Sequence, residues 1–247
     1  MTISANETDA GPRIDARAAG AGRGTPPKSV DVRLAGYAAL TRGDPVLRRI
    51  VASHGRPNPF LWEDGGRTES SNFAALLLHI AGQQISTEVA FVLFDRVRAA
   101  LGGIPEPESV AALGPERLRA FGLSRAKAEY MTGLAELQMA GTIDVEHLDH
   151  LDDAQAIASL TSVRGVGRWS AEMFLIHQLH RPDILPAGDL GIRRAVEAEW
   201  AMRELPSIRE VDDRARSWAP YRSYAAALLW SSRRPVTPAP PRKMRHE

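Results

Sequence analysis

The 247-residue sequence contains no cysteine. This absence excludes disulfides, thiolate nucleophiles, zinc–thiolate sites and iron–sulfur clusters. The sequence also lacks any run of the roughly 18 consecutive apolar residues that a membrane-spanning helix needs, and it does not begin with the basic-then-apolar pattern of a secretory signal. We therefore expect a cytoplasmic protein that does not act at a membrane.

Net charge is nearly absent as well, since the formal charge is only +1. The charges are nevertheless unevenly spread: residues 1–160 carry 16 basic and 20 acidic side chains, whereas residues 161–247 carry 15 and 10. A basic C-terminal part suits a polyanionic partner, although the same asymmetry is also typical of an ordinary solvated surface.

Both ends of the chain differ in composition from its middle. Residues 1–30 are rich in Gly, Ala, Pro and Thr and lack aromatics, and residues 233–247 are proline-rich and basic. We expect both segments to be disordered tails. The body between them, 31–232, is large enough for one domain or for two closely packed small ones.

The apolar pattern of this body has the helical period nearly everywhere, and no run alternates as a strand does. The sequence therefore predicts an all-α fold. Asn72 is predicted to cap a helix over residues 73–84, and a second helix should cover 86–101. Ser124 should cap a third over 125–140. Shorter helices are predicted over 108–113, 115–121, 152–160, 168–179, 191–200, 207–218 and 222–232.

A tight glycine turn separates two of these helices at Arg164-Gly165-Val166-Gly167. Both glycines can take positive φ and lack a Cβ, so the turn can approach another molecule closely. The N–H groups at the start of the next helix can bind an anion, and Arg164 and Arg168 supply cations for neighbouring phosphates. Val166 should pack between the two helices. A bare G-x-G, however, is just as typical of a simple interhelical connection.

The surrounding residues make the pattern more specific. The segment resembles the helix-hairpin-helix of the HhH-GPD superfamily of DNA glycosylases, L-x-x-[LVI]-x-G-[VI]-G-x-x-[ST]-A. Its positions are filled here by Leu160, Val163, Gly165, Val166, Gly167, Ser170 and Ala171. The resemblance implies two helical subdomains with an active-site cleft between them, and duplex DNA bound by Arg164, Gly165, Val166, Gly167, Arg168 and Ser170. It also implies a structural Na⁺ or K⁺ on the backbone carbonyls of Thr161, Val163 and Val166, with no other cofactor required.

Asp189 follows a Pro-x-Gly bend and precedes a predicted helix, a position where aspartate is a preferred N-cap. The resemblance assigns it a second role, because the family places its catalytic aspartate about 20 residues after the hairpin. A carboxylate beside deoxyribose stabilises the oxocarbenium character that develops when an N-glycosidic bond breaks. An N3- or N7-alkylated purine is already cationic and departs without a general acid. Glu172, the nearby acidic residue, is expected on the surface.

Trp169 stands two residues after the second hairpin glycine, where family members that also cut the strand carry a lysine. Tryptophan cannot form a Schiff base, so the resemblance implies hydrolysis alone. Trp169 and Trp230 are expected to stack on the damaged base, with Met173 and Leu190 at pocket positions where better-known members carry tyrosine.

The segment Ile80 to Ser86 resembles I-x-G-Q-[QL]-[ILV]-S, which supplies a residue that enters the minor groove. By position this residue is Gln84, with Gln83 beside it; alternatively, the two glutamines cap or bridge helices. A further block, residues 121–130, predicts a capped helix with an exposed basic residue.

Together these features resemble the 3-methyladenine DNA glycosylase II subfamily. They imply a monomeric enzyme that acts on the nucleoid and removes 3-methyladenine or 7-methylguanine from duplex DNA, leaving an abasic site. Two alternatives remain open: a glycosylase for hypoxanthine or ethenoadenine, and a non-catalytic DNA-binding protein. His177 and His180 are three residues apart, but no third metal ligand is evident and such pairs are more often surface groups.

Overall fold

A computed structural model of the chain describes residues 29–61 and 64–235. The predicted tails therefore lie almost entirely outside the described residues. The first helix begins at Ser29, two residues before the predicted start of the body, and the last one ends at Ser232.

Every regular element in these ranges is helical, which confirms the predicted all-α class. The α-helices are α1 (Ser29–Gly43), α2 (Pro45–His54), α3 (Asn72–Gly82), α4 (Thr87–Leu101), α5 (Pro107–Ala120), α6 (Arg125–Met139), α7 (Asp153–Thr161), α8 (Arg168–His177), α9 (Leu190–Glu199), α10 (Ile208–Ala215) and α11 (Arg222–Ser232). Short 3-10 turns lie at Leu148–His150 and Arg216–Trp218. None of the helices in the described ranges is long and apolar enough to cross a membrane.

The start of α3 corrects one predicted cap. Ser71, not Asn72, is the N-cap, because the Ser71 Oγ accepts the Ala74 N–H at 3.1 Å. The Glu146 carboxylate accepts the backbone N–H groups of Asn72 and Phe73, at 3.0 and 2.9 Å. Asn72 is the first helical residue, and its Nδ2 donates to the Val145 carbonyl at 2.9 Å. Both residues are good caps, and only the tertiary contact with Glu146 distinguishes them.

The helices predicted over 108–113 and 115–121 both lie within α5. Gly114 separates them, because its φ of 72° and ψ of 167° are not helical. Ser124 caps α6 as predicted, accepting the Lys127 N–H at 3.3 Å.

Two separate groups of buried side chains form the interior. The first is built by α3 to α8 and includes Phe73, Phe94 and Phe174. The second joins α1 and α2 to α9, α10 and α11, so the two ends of the described chain share one core. Phe60 and Trp230 pack against both groups. The described helices thus form two closely packed groups, as predicted, which meet at Phe60 and Trp230.

Candidate active site

The hairpin between α7 and α8 has the predicted form, but its two glycines serve different purposes. Gly165 has φ +90°, and a Cβ there would overlap the ring of Tyr130. Gly167 has φ −83°, which corrects the expectation of a positive φ, and a Cβ there would meet no atom within 4 Å. Gly165 is therefore needed for internal packing, whereas Gly167 keeps the outer surface of the turn open. Val166 is buried, as expected.

The N-terminus of α8 has no side-chain cap, because its N-cap residue is Gly167. Its first-turn N–H groups are thus directed at the open side of the turn. The side chains of Arg164 and Arg168 are 80% and 76% exposed on either side. Ser170, predicted to contact DNA, is buried, so it can contact a phosphate only through its backbone.

Glu172 is buried and not on the surface, which corrects its predicted position. The Arg168 Nε donates to its Oε1 at 2.8 Å. Burial raises the pKa of the Glu172 carboxyl, while the Arg168 guanidinium lowers it. A buried carboxylate needs such a partner, and the contact in turn fixes where Arg168 stands beside the hairpin.

The carboxylate of Asp189 lies where the two subdomains meet. Asp189 caps α9, and its Oδ1 accepts the Ile192 N–H at 2.9 Å. The same oxygen accepts the Trp230 Nε1–H at 3.1 Å, and Oδ2 accepts the Trp169 Nε1–H at 2.9 Å. Three donors from α8, α9 and α11 therefore hold one carboxylate in one orientation. Both tryptophans, predicted to stack on a base, have their indole N–H groups directed at this carboxylate.

Gly191 is a residue of this site that the sequence reasoning missed. A Cβ at Gly191 would lie 2.9 Å from the Asp189 Oδ1 and 3.6 Å from the Trp230 ring. The absence of a side chain therefore leaves room for the carboxylate to fold back over the start of α9. The only sequence signal was a glycine two residues after the acid.

A cavity of about 310 Å³ lies beside Trp169, between α8 and the turn that joins α3 to α4. It is lined by Leu78, His79, Gly82, Gln83, Gln84, Ile85, Thr87, Ala90, Phe91, Trp169, Met173 and His177. Trp169, Met173 and His177 recur at four-residue spacing and so form one face of α8. Trp230 and Leu190, also predicted for the base pocket, do not line this cavity. Leu190 is 48% exposed at the start of α9, and Trp230 stacks on His177 with ring centroids 6.3 Å apart.

The titratable groups of this lining are two histidines. Burial lowers the pKa of His79 to about 3, helped by the nearby His177. Burial likewise lowers the pKa of His177 to about 4, helped by His180. Both imidazoles are therefore neutral at pH 7, and the lining carries no full charge. His177 is not the surface group expected from the sequence, and no group of three or more metal-ligating side chains occurs in the described ranges.

The two glutamines of the α3–α4 turn differ in burial and in their contacts. The Gln83 Nε2 donates to the Gly165 carbonyl at 2.8 Å, whereas Gln84 is exposed and has φ 60°. In the block over 121–130 the exposed basic residue is Arg125, whose side chain is 79% exposed, whereas the Lys127 Nζ donates to the Ala81 carbonyl at the end of α3, at 2.8 Å.

This combination of hairpin, caged carboxylate and adjoining cavity agrees with a family-level match. A family model described as HhH-GPD superfamily base excision DNA repair protein matches residues 78–220. The chain belongs to the HhH-GPD superfamily. The matched segment includes the α3–α4 turn, the hairpin and Asp189, but not Trp230.

Named relatives and solved structures agree with this membership. The chain is 32% identical over 163 residues to DNA-3-methyladenine glycosylase 1 of Schizosaccharomyces pombe, covering 65% of this chain and 72% of that protein. It is 28% identical over 169 residues to the DNA-3-methyladenine glycosylase of Bacillus subtilis, covering 64% of this chain and 56% of that one. The solved S. pombe 3-methyladenine DNA glycosylase in complex with abasic DNA superposes with a TM-score of 0.69 at 30% identity, covering 80% of this chain and 96% of that one.

The hairpin residues fit the predicted monovalent cation in their donor chemistry. The Val163 carbonyl accepts one N–H, from Val166 at 3.0 Å, and a carbonyl oxygen can accept a second partner. Neutral oxygen donors of this kind suit Na⁺ or K⁺. The carbonyls of Thr161, Val163 and Val166 would hold such an ion, and its charge would favour a phosphate at the hairpin. This site remains a prediction.

Proposed function

We propose that this protein is a DNA glycosylase that hydrolyses the N-glycosidic bond of alkylated purines in duplex DNA and leaves an abasic site. The observation that carries the proposal is the Asp189 carboxylate, which three N–H donors hold beside an uncharged cavity lined partly by Trp169. The named relatives act on 3-methyladenine by their printed names, which supports alkylated purines as the substrate class.

The orientation of Asp189 suits charge stabilisation at a sugar. Its donors come from one backbone N–H and two indoles, none of which carries a charge, so the carboxylate keeps its full negative charge for a developing oxocarbenium ion. Because the donors are already in place, no reorganisation is needed when the bond breaks. An alkylated purine departs as a neutral base, so the lack of a second acid in the cavity lining is no obstacle.

The uncharged lining also suits the base. A cationic purine would be repelled by a protonated imidazole, but burial keeps His79 and His177 neutral at pH 7. The half-exposed Trp169 offers an aromatic face, which attracts cations.

DNA binding is assigned to the outer side of the hairpin and to the α3–α4 turn. The uncapped start of α8, with Arg164 and Arg168 beside it, suits a backbone phosphate. The exposed side chain of Gln84 stands at the rim of the cavity and would enter the space left by a flipped base. The protein is expected to act as a monomer and without strand cleavage.

A base-release assay tests this function. Purified protein is incubated with DNA methylated to carry 3-methyladenine and 7-methylguanine, and the released bases are separated by chromatography. We expect both bases in the supernatant and alkali-labile sites in the DNA. Duplexes with hypoxanthine or ethenoadenine belong in the same assay, because the neutral polar lining, which includes the side chain of Thr87, also suits uncharged bases. Tight DNA binding without release of any base would favour a non-catalytic role.

A further inference from the structure

The turn between α3 and α4 is tied to two other parts of the fold. The Gln83 Nε2 donates to the Gly165 carbonyl at 2.8 Å, across 82 residues of sequence. The Lys127 Nζ donates to the Ala81 carbonyl, also at 2.8 Å. The first contact reaches the hairpin and the second reaches α6, so the turn is held from two sides.

The backbone of this turn needs such support. Gln83 has φ −58° and ψ 128°, Gln84 has φ 60°, and the Ile85 N–H donates to the Gly82 carbonyl at 3.4 Å. These are the features of a type II turn, whose third position normally holds glycine. A residue with a side chain is disfavoured at positive φ and persists there only when its surroundings hold it. The exposed Gln84 side chain is thus presented by a turn whose shape depends on neighbouring contacts.

The partner of Gln83 is itself rigid. Gly165 lies against the Tyr130 ring, which leaves no room for movement toward α6. Gly165 is also two residues before Gly167, the N-cap of α8. One hydrogen bond therefore links the turn that presents Gln84 to the hairpin whose N–H groups face outward.

We propose that Gln83 is a positioning residue that sets the place of Gln84 relative to the hairpin. The hairpin would then bind the DNA backbone, and the Gln84 side chain would enter the duplex at one fixed base-pair position relative to that contact. Gln83 itself is half-buried and its amide nitrogen is engaged, so it acts through Gln84 and not by reading the DNA. This inference rests on the proposed function.

A double-mutant cycle tests the inference, with Gln83→Met, Gln84→Ala and the double variant. Methionine keeps the length of glutamine but cannot donate. The readout is single-turnover release of 7-methylguanine from a fully paired duplex. We expect Gln83→Met to slow release on the order of tenfold, as the loss of one orienting hydrogen bond allows. In the Gln84→Ala background the same substitution should slow release less than about twofold, because the effects of substituting residues that act as a unit are not additive.

Gln178 provides a matched control. Its Nε2 also bridges distant segments, donating to the Asn72 Oδ1 at 3.0 Å across 106 residues, but it does not line the cavity or touch the hairpin. Gln178→Met should remove a comparable hydrogen bond and leave release within about twofold of wild type.

Two further arms separate positioning from general destabilisation. Release from a duplex in which the damaged base is mismatched should be less sensitive to Gln83→Met, because an unpaired base is easier to flip. Thermal melting is the second arm: Gln83→Met should lower the Tm no more than Gln178→Met does, since each variant loses one comparable hydrogen bond. If Gln83→Met does not fold, Gln83→Glu removes the donor at equal size.

Additive effects in the cycle, or equal losses on paired and mismatched duplexes, would overturn the inference. If the wild-type protein releases no base, the proposed function fails instead. The same four proteins are then compared by their affinity for a duplex with an abasic-site analogue, where additivity again overturns the positioning role of Gln83.

Discussion

Replacing Asp189 by asparagine removes one charge and almost nothing else. The amide oxygen can still accept the Ile192 N–H and the Trp230 indole N–H, which both bind Oδ1. The amide nitrogen, however, would face the Trp169 indole N–H, which now donates to Oδ2 at 2.9 Å. The variant therefore loses one hydrogen bond and places two donors against each other. Trp169 is 46% exposed, so water can satisfy its N–H and relieve that conflict.

The expected effects on stability and on rate differ in size. Loss of one such hydrogen bond costs about 0.5–1.5 kcal/mol. In a chain of this length this lowers the Tm by roughly 1–6 °C. Loss of a preorganised charge from an active site commonly slows reaction on the order of 100- to 1000-fold, or about 3–4 kcal/mol in the barrier. A protein with roughly 5–15 kcal/mol of stability stays folded after the smaller loss, so unfolding cannot account for the slower reaction.

The structure offers a closely matched control in Asp44. Asp44 caps α2, its Oδ1 accepts the Val46 and Leu47 N–H groups, and its Oδ2 accepts the Trp218 Nε1–H at 3.1 Å. It has the same arrangement of cap and indole as Asp189, but its indole partner Trp218 does not line the cavity, whereas Trp169 does.

Single-turnover release of 7-methylguanine and thermal melting should be measured for both asparagine variants. Asp44→Asn should keep the wild-type rate and lose at least as much Tm as Asp189→Asn, because Trp218 is buried and water cannot satisfy its N–H. Asp189→Asn should lose its base-release rate and bind undamaged duplex at least as well as wild type, since less negative charge faces the phosphates. Asparagine caps helices about as well as aspartate, so a purely structural Asp189 predicts nearly normal activity. The catalytic assignment would be refuted if Asp189→Asn released the base at the wild-type rate, or if Asp44→Asn lost as much of the release rate as Asp189→Asn does.

Three other predictions concern the absence of strand cleavage, the two hairpin glycines and the pH dependence of stability. Treatment of a reacting mixture with borohydride should trap no protein–DNA adduct, because the position that requires lysine holds tryptophan; a trapped band on a denaturing gel would contradict hydrolysis alone. Gly167→Val should fold normally and bind every duplex more weakly, since its side chain would project into open space, whereas Gly165→Ala should lower the Tm because its Cβ overlaps Tyr130 and its φ is +90°. Unchanged affinity of a folded Gly167→Val protein for an abasic-analogue duplex would argue against phosphate binding at the hairpin. The free energy of unfolding should fall between pH 7.5 and 5, because unfolded histidines bind protons below about pH 6.5 while His177 and His79 stay neutral in the native protein until about pH 4 and 3. The loss is on the order of 2 kcal/mol per histidine at pH 5, and urea titrations of wild type and His177→Gln at the two pH values should show a flatter dependence in the variant.

Local sequence patterns were enough for the features that depend on near neighbours in the chain. Most helix limits, the cap at Ser124 and the strand-free fold follow from the apolar period and from capping chemistry, which act within a few residues. The helix-hairpin-helix motif is likewise contained in one short segment.

Burial and side-chain partners were harder to predict, because they depend on segments that are distant in sequence. Glu172 was expected on the surface and lies in the interior, paired with Arg168. Lys127 binds a carbonyl of α3, and the tryptophans expected to stack on a base donate to Asp189. Each of these side chains can reach several hydrogen-bond partners, and only the packing of the helices selects one.

The sequence alone determined that the chain is helical, that it carries a glycine hairpin suited to phosphate, and that Asp189 is the acid in the family position, because each of these properties is a short-range pattern. Only the tertiary structure decided that the two chain ends share one core and that α8, α9 and α11 bring Trp169, Asp189 and Trp230 together. It also decided that Gln83 reaches the hairpin across 82 residues. A contact between distant segments is set by how whole helices pack, and no local period or spacing in the sequence encodes that packing.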